Sequence, residues 1–183
     1  MPRTAVEGIA PGTAVGDARS VDIDVQAPTA DSCPQTWAVG ARLTPVSGQT
    51  SGAVGFDTAP YDTWIPVTGA ELTLPEAGLY ELIADMQGGV ITVGSVQNAI
   101  IDVRLFNVTA GGPVPGTERR VLLFSATADG VTHALHSNAS ASALYQVAGP
   151  TTVRAEASKH VDAGTTTGQA AWATNFRFKK ISD

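Results

Sequence analysis

Histidines, hydroxyls and acids are the side chains of this 183-residue chain that could do chemistry, and their spacing decides what they can do. Of the three histidines, His133 and His136 stand close together and His160 follows Lys159. A zinc site needs several ligands converging on one point. On a strand, residues three apart project from opposite faces, and no cysteine or carboxylate cluster completes a set near either histidine. Structural or solvent-facing roles are expected for all three. Asp22 and Asp24 alternate along Val21-Asp22-Ile23-Asp24-Val25 and share a face that could hold a cation, but two carboxylates without a third ligand read as a solvated face. Neither metal nor cofactor is expected.

Serine and threonine are plentiful, yet the chain has no Gly-x-Ser-x-Gly elbow, no Cys–His pairing signal and no Gly-rich phosphate loop opening a helix. It reads as a protein with no enzymatic activity. Cys33 is the only cysteine, which excludes an intrachain disulfide and leaves a small buried side chain as the expected role. Asn107-Val-Thr109 and Asn138-Ala-Ser140 match the glycosylation sequon, a pattern that Ser/Thr-rich chains produce by chance. Tyr61-Asp-Thr-Trp64 lies between Pro60 and Pro66 in a loop, where an aromatic pair could meet a sugar ring or a neighbouring subunit. Packing on a neighbour or on the core is the preferred reading, and Tyr61 and Trp64 are kept as the candidate ligand loop.

The elements that must position these residues are strands. The hydrophobic fraction of 43% against 15% charged residues suits a folded chain, in one main domain with an additional short segment. Strand-length apolar runs separated by Gly, Pro, Asn and Asp fall at residues 37–43, 53–56, 71–74, 79–86, 99–108, 119–126, 131–136, 143–147, 152–157 and 171–181, with no helical periodicity between them. Pro75 to Gly78, Gly88-Gly89, Gly111 to Pro113, Asp129-Gly130 and Gly149-Pro150 read as the turns, with Asp129-Gly130 the best tight-hairpin signal. In the last run Trp172, Phe176 and Phe178 share parity and are expected on one face. The expectation is an all-β antiparallel jelly-roll sandwich of about 8–10 strands over residues 35–183, preceded by an irregular N-terminal arm over residues 1–34.

The net charge of −6 argues against nucleic acid as a partner, because phosphate neutralisation needs a basic face. No run approaches the roughly 18 apolar residues of a membrane helix. The first twenty residues hold no continuous apolar segment, so no secretory signal is read and synthesis in a host cytoplasm is expected.

Ala41-Arg-Leu-Thr, Gly52-Ala-Val-Gly-Phe56-Asp57, Leu74-Pro-Glu-Ala-Gly78-Leu-Tyr80 and Asn175-Phe-Arg-Phe178 follow one another in the order found in the C1q/TNF-like jelly-roll superfamily, which the chain resembles over about residues 37–181. The chain departs from that pattern in lacking the habitual Phe of the first strand and in carrying Leu79 and Leu82 where other aromatics often stand. The resemblance implies a compact homotrimer associating through aromatic and aliphatic faces, for which Tyr80, Phe106, Tyr145 and Phe178 are the interface or core candidates. An acidic, cysteine-poor jelly roll with an N-terminal arm also looks like a bacteriophage virion protein, such as a capsid decoration protein, head fibre or small tail protein. The arm would then attach to other capsid or tail proteins. The rival expectation is a host-surface or carbohydrate-binding module using Tyr61 and Trp64.

Overall fold

The computed structural model describes residues 21–26, 38–43, 46–127 and 130–182, with side chains described from Val46 onward. Most of the N-terminal arm expected over residues 1–34, and Cys33, lie outside the described residues. The chain divides into two units, Met1–Thr44 and Pro45–Asp183. In the first, β1 (Val21–Gln26) pairs antiparallel with β2 (Ala38–Leu43), setting Asp22 opposite Arg42 and Asp24 opposite Gly40.

The second unit is a jelly-roll sandwich. Its strands are β3 (Ser47–Gly55), β4 (Ile65–Leu74), β5 (Gly78–Val93), β6 (Val96–Asn107), the two-residue β7 (Gly112–Pro113), β8 (Arg119–Ala126), β9 (Thr132–Val147), β10 (Thr151–Gly164) and β11 (Gly168–Ser182). One layer runs β8-β6-β10-β4 and the other β3-β11-β5-β9, antiparallel throughout. They join at the pair Ala53↔Thr68. Every connection from β3 to β6 and from β8 to β11 crosses between layers, which is how a jelly roll winds two sheets around one core. The corner at β3–β4 is tight: a Cβ on Gly52 would lie 2.2 Å from the Thr68 carbonyl oxygen.

Period-two geometry fills the space between the layers. Tyr80, Leu82, Ala84 and Met86 of β5 are buried in succession, as are Ile101, Val103 and Leu105 of β6 and Val153, Ala155 and Ala157 of β10. The Pro-x-x-Gly-x-Tyr turn has a physical rationale: Gly78 has φ 146°, and a Cβ there would meet Lys180 Cε at 2.4 Å and the Ser182 carbonyl oxygen at 2.6 Å.

Three sequence expectations are overturned. Gly88-Gly89 does not break a strand but lies within β5, where a Cβ on Gly88 would touch Val121 and Ile101 and one on Gly89 would press on His136 and Trp172. Their small size admits close neighbours rather than a turn. The runs at 131–136 and 143–147 are one strand, because the Ser/Ala segment between them pairs continuously with β5 despite its weak strand propensity. Trp172 does not share a face with Phe176 and Phe178. Thr174 is an extra residue in β11: Ala173 pairs with Met86 and Asn175 with the next residue, Asp85. One inserted residue reverses the alternation, so Phe176 and Phe178 enter the core while Trp172 faces outward, half-buried against His136 with ring centroids 5.8 Å apart.

Candidate functional site

Residues that could act fall into three places on the sandwich. The first is the outer edge of β9, which among the described residues is the end strand of its layer. β9 pairs with β5 without interruption from Gly78↔Val147 to Val93↔Thr132, and its sequence THALHSNASASALYQV has no Lys, Arg, Asp, Glu, Pro or Gly. Protective devices that keep sheet edges apart, namely charges, prolines and bulges, are therefore missing from it. The exposed large apolar side chains concentrate on it and its immediate neighbours: Leu144 is 67% exposed, and Leu135, Ile91, Val93 and Val131 are also exposed. Tyr145 is half-buried on this strand, opposite Tyr80, and its hydroxyl oxygen accepts a 2.7 Å hydrogen bond from Asn107 Nδ2. His133 and His136 occupy opposite faces of β9, beside Phe124 and Trp172 respectively.

The second place is the outer face of β6 and β10. Glu156 is 2% exposed, with Oε2 receiving a two-pronged contact from Arg104 at 2.9 and 2.7 Å and Oε1 another from Arg154 at 3.0 and 2.6 Å. Trp64 lies under the Arg104 guanidinium at 4.3 Å, and Phe106 is shared by Arg104 at 5.3 Å and Arg154 at 5.0 Å. Each planar cation is thus fixed by a carboxylate edge-on and by a ring face-on. Further along β10, His160 sits between two acids: Nε2 is 2.6 Å from Asp162 Oδ1 and Nδ1 is 2.7 Å from Asp62 Oδ1. Its pKa is raised above the ordinary value, first by the bond to Asp162 and then by that to Asp62. Asp162 is held below the usual carboxylate range by the Asn98 amide, which donates at 2.6 Å, and then by His160. Asp62 reaches this position with φ 56°, a left-handed conformation that its short polar side chain tolerates.

The third place is a cleft of about 180 Å³ lined by Phe56, Asp57, Tyr61, Lys159, Thr166, Thr167, Gly168 and Gln169. Tyr61 is 49% exposed and its ring lies 4.8 Å from the Lys159 ammonium.

The sequence-derived candidates are accordingly separated. Tyr80 and Phe178 are buried together in the core, edge to face with ring centroids 5.7 Å apart. Phe106 and Tyr145 are half-buried on different layers. Tyr61 and Trp64 are drawn to different cations, Lys159 and Arg104, so each ring is engaged separately. Sequence reasoning did not find Glu156, Lys159 or Gln169. The one available signal was a charged or amide residue at an otherwise small-residue strand position, as in Arg154-Ala-Glu156-Ala-Ser-Lys159.

No family model and no curated protein matches this chain. Among solved structures it is similar to infectious bursal disease virus Gx strain, at 14% identity and a TM-score of 0.39 over 85% of this chain and 36% of that one. The Gt strain of the same virus gives 11% identity and a TM-score of 0.34 over 85% of this chain and 45% of that one. The VP2 subviral particle of that virus gives 11% and 0.34 over 86% and 47%. The chain spans less than half the length of these proteins.

Proposed function

We propose that this chain is a structural protein of a bacteriophage virion, a capsid decoration protein, head fibre or small tail protein, acting by association and without catalysis. Copies join as a homotrimer along the β9 edge, and the segment over residues 1–34 attaches the assembly to another capsid or tail protein. The observation that carries this reading is the unprotected β9 edge. A sixteen-residue strand is about 50 Å long at roughly 3.3 Å per residue, enough to run the length of a subunit interface. Natural sheets that stay monomeric blunt such edges. A closed cyclic assembly covers the edge of every copy without leaving one free for open-ended growth. The jelly roll is also an architecture used for capsid shells, which supports the virion assignment by analogy of fold.

Leu144→Lys tests the edge, because that side chain is 67% exposed and its replacement leaves the core untouched. Light scattering on the purified variant should give a monomer with an unchanged melting temperature. A variant that remains trimeric removes β9 from the interface. Deleting residues 1–34 should leave the trimer intact and abolish incorporation into particles, read by the protein's presence in purified virions. Unimpaired incorporation would contradict the attachment role.

A further inference from the structure

Lys159 is a buried cation with little around it to balance its charge. It projects from β10 beneath the β3–β4 loop, is 8% exposed, and among the described residues its ammonium makes one hydrogen bond, 2.5 Å to the Phe56 carbonyl oxygen, besides lying under the Tyr61 ring. Among the described residues no carboxylate forms an ion pair with it, although Asp57 lines the same cleft. A carbonyl dipole and a ring face stabilise an ammonium only in part, and burying a charge without an opposite one is unfavourable.

A second polar group in the cleft has the same deficit. Gln169 is 5% exposed, and Thr166 Oγ1 donates to its Oε1 at 3.1 Å, which fixes the amide. The Nε2 of that amide is buried and has no hydrogen-bond partner among the described residues. Such an orphaned donor is unfavourable, because it has lost its water without gaining an acceptor. The cleft that these two residues line has room for on the order of ten water molecules, the size of one small ring compound. An ammonium and an unpaired amide donor call for an anionic acceptor with two oxygens. Tyr61 is a half-exposed aromatic wall beside them, and Asp57 with the Thr166 and Thr167 hydroxyls supplies groups able to meet hydroxyls.

We infer that this cleft binds an acidic monosaccharide, whose carboxylate answers Lys159 and Gln169 and whose ring lies against Tyr61. The carboxylate supplies the missing counter-charge, the aromatic face suits the C–H surface of a sugar ring, and the loop holding Tyr61 is anchored by the Asp62 N–H donating 2.9 Å to the Lys159 carbonyl oxygen. The site is independent of the assembly reading and would stand if the chain were monomeric.

The test is titration of the full chain, followed by calorimetry and by the Gln169 side-chain amide resonance, with glucuronate, N-acetylneuraminate, glucose, acetate and inorganic phosphate as separate probes. One of the two acidic sugars should bind at least tenfold more tightly than glucose and than acetate, and should move the Gln169 amide signal. Tyr61→Ala, at an exposed position, should weaken the acidic sugar about tenfold and leave acetate unchanged. Lys159→Met should abolish binding, and because that variant could fail to fold, the amide shift in the unaltered protein is the deciding measurement. Equal binding of glucose, equal binding of acetate or phosphate, or no binding by either acidic sugar at millimolar concentration would each overturn the inference.

Discussion

Glu156 shows what single residues contribute here. A carboxylate 2% exposed on the outer face of a sheet would be unfavourable alone, and it is stabilised because two guanidiniums approach its two oxygens separately. Glu156→Gln keeps the shape but leaves Arg104 and Arg154 as two like charges facing a neutral amide. Stability should fall by about 3 kcal/mol, measured as a lowered urea midpoint with unchanged slope. A change within about 0.5 kcal/mol would mean that the triad is incidental. His160 contributes with a definite sign. Its pKa in the folded chain is raised above 6.5, so its stabilisation is complete below that pH and is lost as pH rises through the raised value. Asp162, lowered from 3.8, acts in the other direction: its share is present above that value and lost in acid. The melting temperature should therefore decline on going from about pH 6 to pH 9, and His160→Asn should flatten that decline. An equal slope in the variant would remove the Asp62–His160–Asp162 cluster as its cause. Arg154 and Asp162 each stand two residues from their partners on one strand, but the cross-strand partners were not legible in the sequence, because Arg104 and Glu156 are 52 residues apart and Asp62 and His160 are 98 apart. Only the folded sheet makes them neighbours.

At the scale of elements, the sequence is readable wherever alternation is regular. Within the strand read over 79–86, period two places Tyr80, Leu82, Ala84 and Met86 on one face, and all four are buried. Where alternation is interrupted, the reading fails for a physical reason. Thr174 carries no Gly or Pro signal, and its hydroxyl is satisfied locally by donating 2.9 Å to the Asp85 carbonyl oxygen, so the bulge is invisible until β11 is paired. Deleting Thr174 should remove the extra residue while keeping Ala173 opposite Met86 and Asn175 opposite Asp85, so that Trp172 stays outward and Phe176 and Phe178 stay in the core. The expected result is a soluble, cooperatively melting protein, whereas the same deletion in an unbulged strand would slip the register by one residue and exchange its two faces. Loss of cooperative folding in the deletion variant would refute the bulge. The centre of β9 was missed for the opposite reason: Ser and Ala are poor strand formers, and their place is set by pairing with β5 rather than by propensity.

For the whole molecule, the all-β class was legible because strand lengths and turn residues suffice to fix it, and the jelly roll was read from the number of strands and the order of the motifs that carry the resemblance. What the sequence could not show was which strand would end a layer. That fact turns the uncharged β9 from one strand among many into the candidate interface, and it moves attention away from Tyr80 and Phe178, whose rings are occupied with each other inside the core. The candidate site was legible only at Tyr61, since the cleft beside it is assembled from the β3–β4 loop, β10 and the start of β11. The proposed association through the β9 edge is tested by the solution mass of the full chain, from sedimentation equilibrium at micromolar concentration, beside Leu144→Lys. Association through β9 predicts three times the chain mass for the unaltered protein and the single-chain mass for the variant. A single-chain mass for both, or a trimer for both, would contradict it.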